Sequence, residues 1–533
     1  MTGSPGSGRM VTGVIPPGSV VATSRGGGWC RNVERCECVW VLLIFLIFLF
    51  TLIWMYVTLI LKNDIHNFNE EIFRLLGLWQ DWSVVFITVA AVLLAYCAVL
   101  MIISMCLLLC AQPLRLHWVH KVLLAFCTVL VSLGIIGLYF KWKIEWAAVA
   151  VSLQATSPFL HIGAVFGVSA LAWVLAGYFW ETKLKVLKCL LLVVYCLLVC
   201  ALFVSPIFAT SPCVMNASEL TPRPQIIGHR GAPMLAPENT MMSFEKLVES
   251  GGKVFETDVV VSWDGVPFLM HDDTLLRTTN VIDVFKNRSR ENCANFTWSD
   301  LKMLNAGEWF MQRNPFGTAG DAEREKVKQQ KIPSLEEMIN TCKDRNISIM
   351  FDLRRPPPGH PYNESFVNVT VHTILKTSIS EELILWLPDD DREEVMRQAP
   401  GFRQIYGRKR QENDTLDAVN LSYTNLSVDD IRSYRKDNIS VNLFVVNKPW
   451  LFSHVWCAGA TSVTSNDFQL LNNQSKPIWL LNPNSYFIIW IVADVVALSH
   501  IIWAFVLQRG HQRFYLLILY VHREPESMND TTL

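Results

Sequence analysis

Two patterns of apolar residues divide this chain. Near-continuous apolar runs of about 20 residues, enough to cross a hydrocarbon core of ~30 Å as a helix, occupy 39–61, 83–109, 122–140, 159–179, 187–208 and 485–507. They predict six transmembrane helices. From 209 to 484 the runs are shorter and are separated by polar stretches long enough to form helices. Runs at 225–228, 254–261, 267–270, 347–353, 383–387, 403–407, 441–446 and 461–465 read as eight strands, and 419–423 competes with 403–407 for the sixth place. Strands alternating with helices make an α/β domain with a parallel sheet, either a TIM barrel or an open doubly wound sheet. The chain thus divides into a tail (1–38), five spans (39–208), a polar domain (209–484), a sixth span (485–507) and a second tail (508–533).

Composition agrees with this division. A hydrophobic content of 51% and a mean hydropathy of +0.29 exclude an ordinary soluble enzyme and make the lipid bilayer a partner. The formal net charge is −1, and no nucleic-acid partner is expected. Basic residues near span ends mark the cytoplasmic side. Arg31 and Arg35 precede the first span, Arg115 and Lys121 join the second to the third, Lys183 and Lys185 the fourth to the fifth, and Arg509 and Arg513 follow the sixth. These places share one side and outvote Lys141 and Lys143. Both termini are therefore expected in the cytoplasm, with the polar domain outside a plasma membrane. The first apolar run is long enough to remain as a signal anchor, and the Gly-rich stretch before it is expected to be disordered.

The polar domain carries eleven Asn-x-Ser/Thr acceptor patterns, at Asn216, Asn287, Asn295, Asn346, Asn363, Asn368, Asn413, Asn420, Asn425, Asn438 and Asn473. Its composition would give roughly three by chance, so a glycosylated extracellular surface is expected. Its four cysteines, Cys213, Cys293, Cys342 and Cys457, are compatible with two disulfides in any of three pairings. Cys30, Cys36 and Cys38 precede the first span, where cysteines are open to palmitoylation.

Three polar clusters at the ends of strand-like runs carry the candidate chemistry: Gly228-His229-Arg230-Gly231, Glu256-Thr257-Asp258 and Met270-His271-Asp272. Glu256 and Asp258, two apart on a strand, share a face and can share one hard cation. Asp352 adds a third carboxylate at the end of the fourth run. The all-oxygen set suggests one divalent cation, calcium or magnesium. Two histidines supply the acid and base that phosphodiester cleavage needs.

Pro237-Glu238-Asn239-Thr240, between the first two clusters, completes an order of motifs that resembles the glycerophosphodiester phosphodiesterase family. The six-span layout, with Asn63-Asp64-Ile65-His66-Asn67-Phe68-Asn69, Ser152-Leu153-Gln154-Ala155-Thr156 and Pro158-Phe159-Leu160-His161, resembles its membrane-spanning branch. The resemblance implies a TIM barrel with a small insertion at about 275–333, giving a multi-span α-helical membrane protein that carries an extracellular α/β barrel. It implies calcium on Glu256, Asp258 and Asp352, catalysis by His229 and His271 in unassigned order, phosphate binding by Arg230 and Arg354, and support from Glu238. This chain has Asp352 and Arg354 where the family has Glu and Lys. It also has Phe444-Val445-Val446-Asn447 and Ser465-Asn466 where the family has Trp-Thr-Val-Asn and Thr-Asp. The implied substrate is glycerophosphoinositol, cleaved to inositol phosphate and glycerol. A phospholipase C-like release of GPI-anchored proteins is the alternative, because both substrates present inositol phosphate. A transporter or sensor would instead use His161, Asp494 and His500 within the spans.

Overall fold

The structure, a computed structural model, describes residues 35–109, 115–141, 145–182, 184–208, 210–315, 318, 323–411 and 415–521. The Gly-rich stretch, Cys30, Arg31, Lys143, Lys183 and Asn413 lie outside the described residues, as do the side chains of Arg35, Cys36, Cys38, Lys141 and Arg513.

Seven helices form the apolar half: α1 (Arg35–Leu61), α2 (Ile65–Leu76), α3 (Trp82–Leu109), α4 (Trp118–Lys141), α5 (Glu145–Glu181), α6 (Lys185–Phe208) and a C-terminal helix, Pro483–Val521. All except α2 are long and apolar enough to cross a membrane, which matches the six expected spans. The fourth begins well before residue 159, because Ser152, Thr156 and Ser157 bond back to carbonyls of their own helix and Pro158 is accommodated within it. At 1.5 Å per residue α5 exceeds a ~30 Å core by several turns. Ala148 in its first turns joins the core of the polar domain together with Ile60 of α1. The ionisable residues considered for transport join helices instead. His161 of α5 lies 3.4 Å from Asp494 of the C-terminal helix, and His500 accepts a bond from Trp173.

The polar domain is a nearly closed barrel. Its strands are β1 (Gln225–His229), β2 (Val254–Val261), β3 (Pro267–Leu269), β4 (Ser348–Leu353), β5 (Ile384–Trp386), β6 (Arg403–Gln404), β7 (Ala418–Ser422), β8 (Ser440–Phe444) and β9 (Ser462–Ser465). Eight of them run in the order β6-β5-β4-β2-β1-β9-β8-β7, all parallel. Tyr406, just past β6, closes the ring by bonding to Ala418 and Asn420 of β7. The expected number of barrel strands is met with a different membership. The run at 267–270 is an antiparallel appendage of β2 rather than a barrel strand, while 403–407 and 419–423 both contribute. Alternation alone could not separate a hairpin strand from a barrel strand.

Strand parity places the chemistry. Ile227, Val254, Met350, Leu385 and Ile405 form an apolar floor inside the barrel. Two residues further along their strands, on the same face, stand His229, Glu256 and Asp352. On the other side of the ring the equivalent layer is Asn420, Asn442 and Thr464, joined by bonds of 2.6 and 2.8 Å from the Asn442 amide. Asn420 is thus buried inside the barrel and presents no acceptor for a glycan. Asn216, Asn287, Asn346, Asn368, Asn425, Asn438 and Asn473 are exposed, and Asn295 and Asn363 are half-buried.

One disulfide replaces the two expected. Cys213 joins Cys457 with Cα atoms 5.1 Å apart. Cys293 and Cys342 are buried free thiols in different apolar clusters, so the even count was misleading.

Candidate active site

The turn leaving β1 creates the centre of the site. Arg230 (φ 56°) and Gly231 (φ 94°) both adopt left-handed backbone, and a Cβ at Gly231 would collide with Ser243 of α7 (Met241–Glu249). For Arg230 that conformation costs about 1–3 kcal/mol. It lets the Arg230 N–H donate to Glu256 at 3.0 Å while the side chain turns inward to Glu238 (2.9 Å) and Asp258 (3.3 Å).

The Pro-Glu-Asn-Thr motif follows with a task for each polar member. Glu238 ties Arg230 to Arg277, Asn239 donates to Asp258 at 2.9 Å, and Thr240 caps α7 by accepting from Ser243.

The two histidines are backed differently. His229 meets Asn466 through Nδ1 at 2.6 Å, which leaves Nε2 facing the barrel interior, 3.9 Å from Glu256. Burial, aided by the Arg230 charge, holds its pKa down to about 3, so the ring is neutral at physiological pH. His271 arrives from β3, not from a barrel strand, because Met270 N–H bonds to the Asp258 carbonyl and folds the hairpin over β2. Its Nδ1 meets Asp272 at 2.8 Å. Despite burial, Arg277 and the His271 bond hold the Asp272 carboxyl well below the usual carboxylate range. Arg277 grips both Asp272 oxygens at 2.7–2.8 Å and both Glu238 oxygens at the same range.

Glu256, Asp258 and Asp352 converge from neighbouring positions, with Asp258 beside Asp352 in the β2–β4 register. Their electrostatics are unequal. Burial, then the charges of Asp258 and Asp352, raise the pKa of Glu256 well above its ordinary value. Asp258 overcomes burial through His271, Arg230 and Arg354 and falls to about 2. Asp352 is raised by partial burial and by Asp258, although half of its side chain is open to solvent. Arg354, 3.5 Å from Asp258 and 3.6 Å from Asp352, is partly exposed at the mouth. It is more accessible to a phosphate than the buried Arg230.

Among the described residues, one set of three His/Cys/Asp/Glu side chains has ligand atoms all within 4.8 Å of one another: Glu70, His271 and Asp272. Arg277 already fills this set with a guanidinium. The carboxylates of Glu256, Asp258 and Asp352 offer only oxygens and do not meet that spacing, and burial with the charges of Asp258 and Asp352 raises the pKa of Glu256.

A model of the glycerophosphoryl diester phosphodiesterase family matches residues 229–378, from His229 past β4 and the helix Phe366–Lys376 that follows it. The human glycerophosphoinositol inositolphosphodiesterase GDPD2 is 49% identical over 90% of this chain and 89% of its own. The chain belongs to this family. The chicken glycerophosphodiester phosphodiesterase domain-containing protein 5 is 41% identical over 90% of this chain and 81% of its own. As a family member the protein is a phosphoric diester hydrolase, and the four clusters read from sequence meet at one barrel mouth. Five supporting residues were not assigned from sequence: Asn466 behind His229, Asp272 and Arg277 behind His271, Asn239 behind Asp258, and Asn447 beneath Asn466. Four of them lie in or beside quoted motifs. Arg277 sits in the insertion with no local signal.

Proposed function

We propose that the protein is a plasma-membrane phosphodiesterase that cleaves extracellular glycerophosphoinositol to inositol phosphate and glycerol with the help of one divalent cation. The observation that carries this reading is the unlike backing of the two histidines. The human and mouse relatives named as glycerophosphoinositol inositolphosphodiesterases, 49% and 48% identical, support the choice of head group. The outward orientation draws on the charge bias of the span ends, the exposed glycan acceptors and the disulfide.

His229 is the base in this reading. Asn466 accepts the Nδ1 proton and leaves the Nε2 lone pair toward the mouth. The substrate phosphoryl group, arriving beside Arg230, offsets the positive charge that opposes protonation, so His229 takes a proton from the attacking oxygen as that oxygen bonds to phosphorus. The attacker is water, or the neighbouring inositol hydroxyl, in which case glycerol leaves a cyclic inositol phosphate that water then opens. His271 is the acid. Asp272 fixes its Nδ1 proton and balances the charge of the doubly protonated ring, while Nε2 gives its proton to the glycerol oxygen as the P–O bond breaks. Arg354 and Arg230 orient the phosphoryl oxygens. Glu256, Asp258 and Asp352 would hold the cation, calcium with magnesium as the alternative, which supplies charge stabilisation to those oxygens.

The test uses full-length protein on intact cells, with external glycerophosphoinositol and a GPI-anchored reporter offered separately. Release of inositol phosphate and glycerol, lost in His229→Ala and His271→Ala that reach the surface in normal amounts, is expected. Turnover retained by both variants would overturn the site. Reporter release without turnover of the soluble diester would move the substrate to lipid anchors.

A further inference from the structure

The barrel mouth is not built by the polar domain alone. We propose that the segment between α1 and α3 completes the catalytic centre, with Asn63 and Glu70 as positioning residues that set His229 and His271 through separate relays. The inference rests on the assignment of those two histidines in the proposed function.

The first relay begins two residues beyond α1. Asn63, 1% exposed, donates from Nδ2 to the Val445 carbonyl at 2.9 Å and accepts from the Asn447 N–H at 3.0 Å through Oδ1. Its own carbonyl accepts from Asn447 Nδ2 at 2.8 Å. Asn447 Oδ1 in turn accepts from the Asn466 N–H at 2.7 Å, and Asn466 Oδ1 meets His229 Nδ1 at 2.6 Å. A single side chain of the inter-span segment thus fixes the loop after β8. That loop fixes the residue selecting the His229 tautomer.

The second relay starts on α2. Phe68 and Ile72 bury one face of this short helix, Glu70 and Arg74 pair at 2.6 Å one turn apart, and Gly77 at φ 69° ends it. Glu70 is 3% exposed and points its carboxylate at Arg277, 4.0 Å from Nε. Arg277 clasps Asp272, which holds His271. The next turn adds a brace: Phe73 lies under Arg313, which donates to the Arg277 carbonyl at 2.6 Å. Asn69 accepts from the Trp82 N–H at 3.0 Å, so α2 is registered to the start of α3.

Each buried polar group in these relays would be costly to leave unpaired, which makes the geometry discrete rather than elastic. The two spans flanking the segment therefore set both histidines.

The test compares full-length wild type with Asn63→Ala and Glu70→Gln, purified in detergent and assayed with a soluble glycerophosphodiester. Each variant is expected to lose about tenfold in kcat with KM changed less than about twofold, the mark of an interaction that matters in the transition state. Asn63→Ala combined with Asn466→Ala is expected to be no worse than Asn466→Ala alone, since both act on one relay. Amide hydrogen exchange at Asn447 and Asn466 should quicken in Asn63→Ala whatever the turnover. Wild-type kcat in both single variants, fully additive losses in the pair, or unchanged exchange would each overturn the inference. If Asn63→Ala does not fold, the isosteric Glu70→Gln carries the kinetic arm alone. Quickened exchange in a wild-type background that turns over no glycerophosphodiester would leave the segment's grip on the barrel standing and remove the functional reading only.

Discussion

Two groups of carboxylates adjoin at the barrel mouth, linked by Arg230 and unlike in electrostatics. Glu70, Glu238 and Asp272 surround Arg277, whose planar fork makes two paired contacts and lies 4.0 Å from the third carboxylate. Glu256, Asp258 and Asp352 share only the flanks of Arg230 and Arg354, and burial, then the neighbouring carboxylates, raise the pKa of Glu256 well above its ordinary value. The first group is a finished salt bridge that holds His271. The second has its guanidinium groups only at its edges, and in the proposed function it would take up a cation instead.

The largest effect is expected from removing the first group's guanidinium. Arg277→Met should cost about 3–5 kcal/mol, because the buried Glu238 and Asp272 would each lose a two-point contact. Thermal unfolding and surface level report it. Arg354→Gln, by contrast, should lower activity with stability changed by less than about 1 kcal/mol, since that side chain is partly exposed. Equal destabilisation by the two would erase the distinction.

Neutralising one acid in each group should move stability in opposite directions when a chelator is present. Asp272→Asn is expected to lower the unfolding midpoint, by about 2–3 kcal/mol in free energy. Asp352→Asn should raise it slightly, by at most about 1 kcal/mol after allowance for its exposure. Chelation itself should stop turnover. In Asp352→Asn the cation needed to restore activity should rise by about tenfold, while Asp352→Glu keeps substantial function. Wild-type cation dependence in Asp352→Asn would show that Asp352 is not a ligand.

The smallest effect separates the groups by pH. Glu256 is raised in the folded protein above its ordinary value of 4.5, so the folded state binds the extra proton and stability falls as pH rises from that value. The loss is about 1.4 kcal/mol for each unit by which the group stays raised. Asp272 is depressed, so its contribution is complete above its ordinary 3.8 and is lost only in stronger acid. Cation-free protein should therefore lose stability as pH rises above 4.5, and saturating cation should flatten that slope. A flat profile without cation would place Glu256 in an already compensated site.

Much of this was legible because the decisive residues are local. His229-Arg230-Gly231 and Glu256-Thr257-Asp258 are continuous, and strand parity alone puts Glu256 with Asp258. The long apolar runs located the six long apolar helices, and they missed the polar start of α5 and the extension of the last helix to Val521. What failed was information carried by distance. Arg277 lies in an insertion without pattern, and only the folded hairpin brings it to Asp272. The segment after α1 reads only as a mark of the resemblance, because nothing local to Asn63 or Glu70 shows their partners Asn447 and Arg277, which lie hundreds of positions along the chain. Asn420 satisfies a glycosylation pattern that its inward-facing place on β7 annuls.

The barrel's two attachment points have a further consequence. Leu481, two residues before the C-terminal helix, donates to the Cys213 carbonyl at 3.0 Å and accepts from Met215, so entry and exit leave side by side, beside the disulfide. To the helical bundle the entire domain is equivalent to a tight hairpin turn between α6 and the last helix. A module mounted in this way enters and leaves without separating α6 from the last helix, while Ile60, Ala148 and Asn63 fit its surface to the bundle. The bundle then resembles a socket whose fitting is matched in shape and, through the segment between the first two spans, keyed in function.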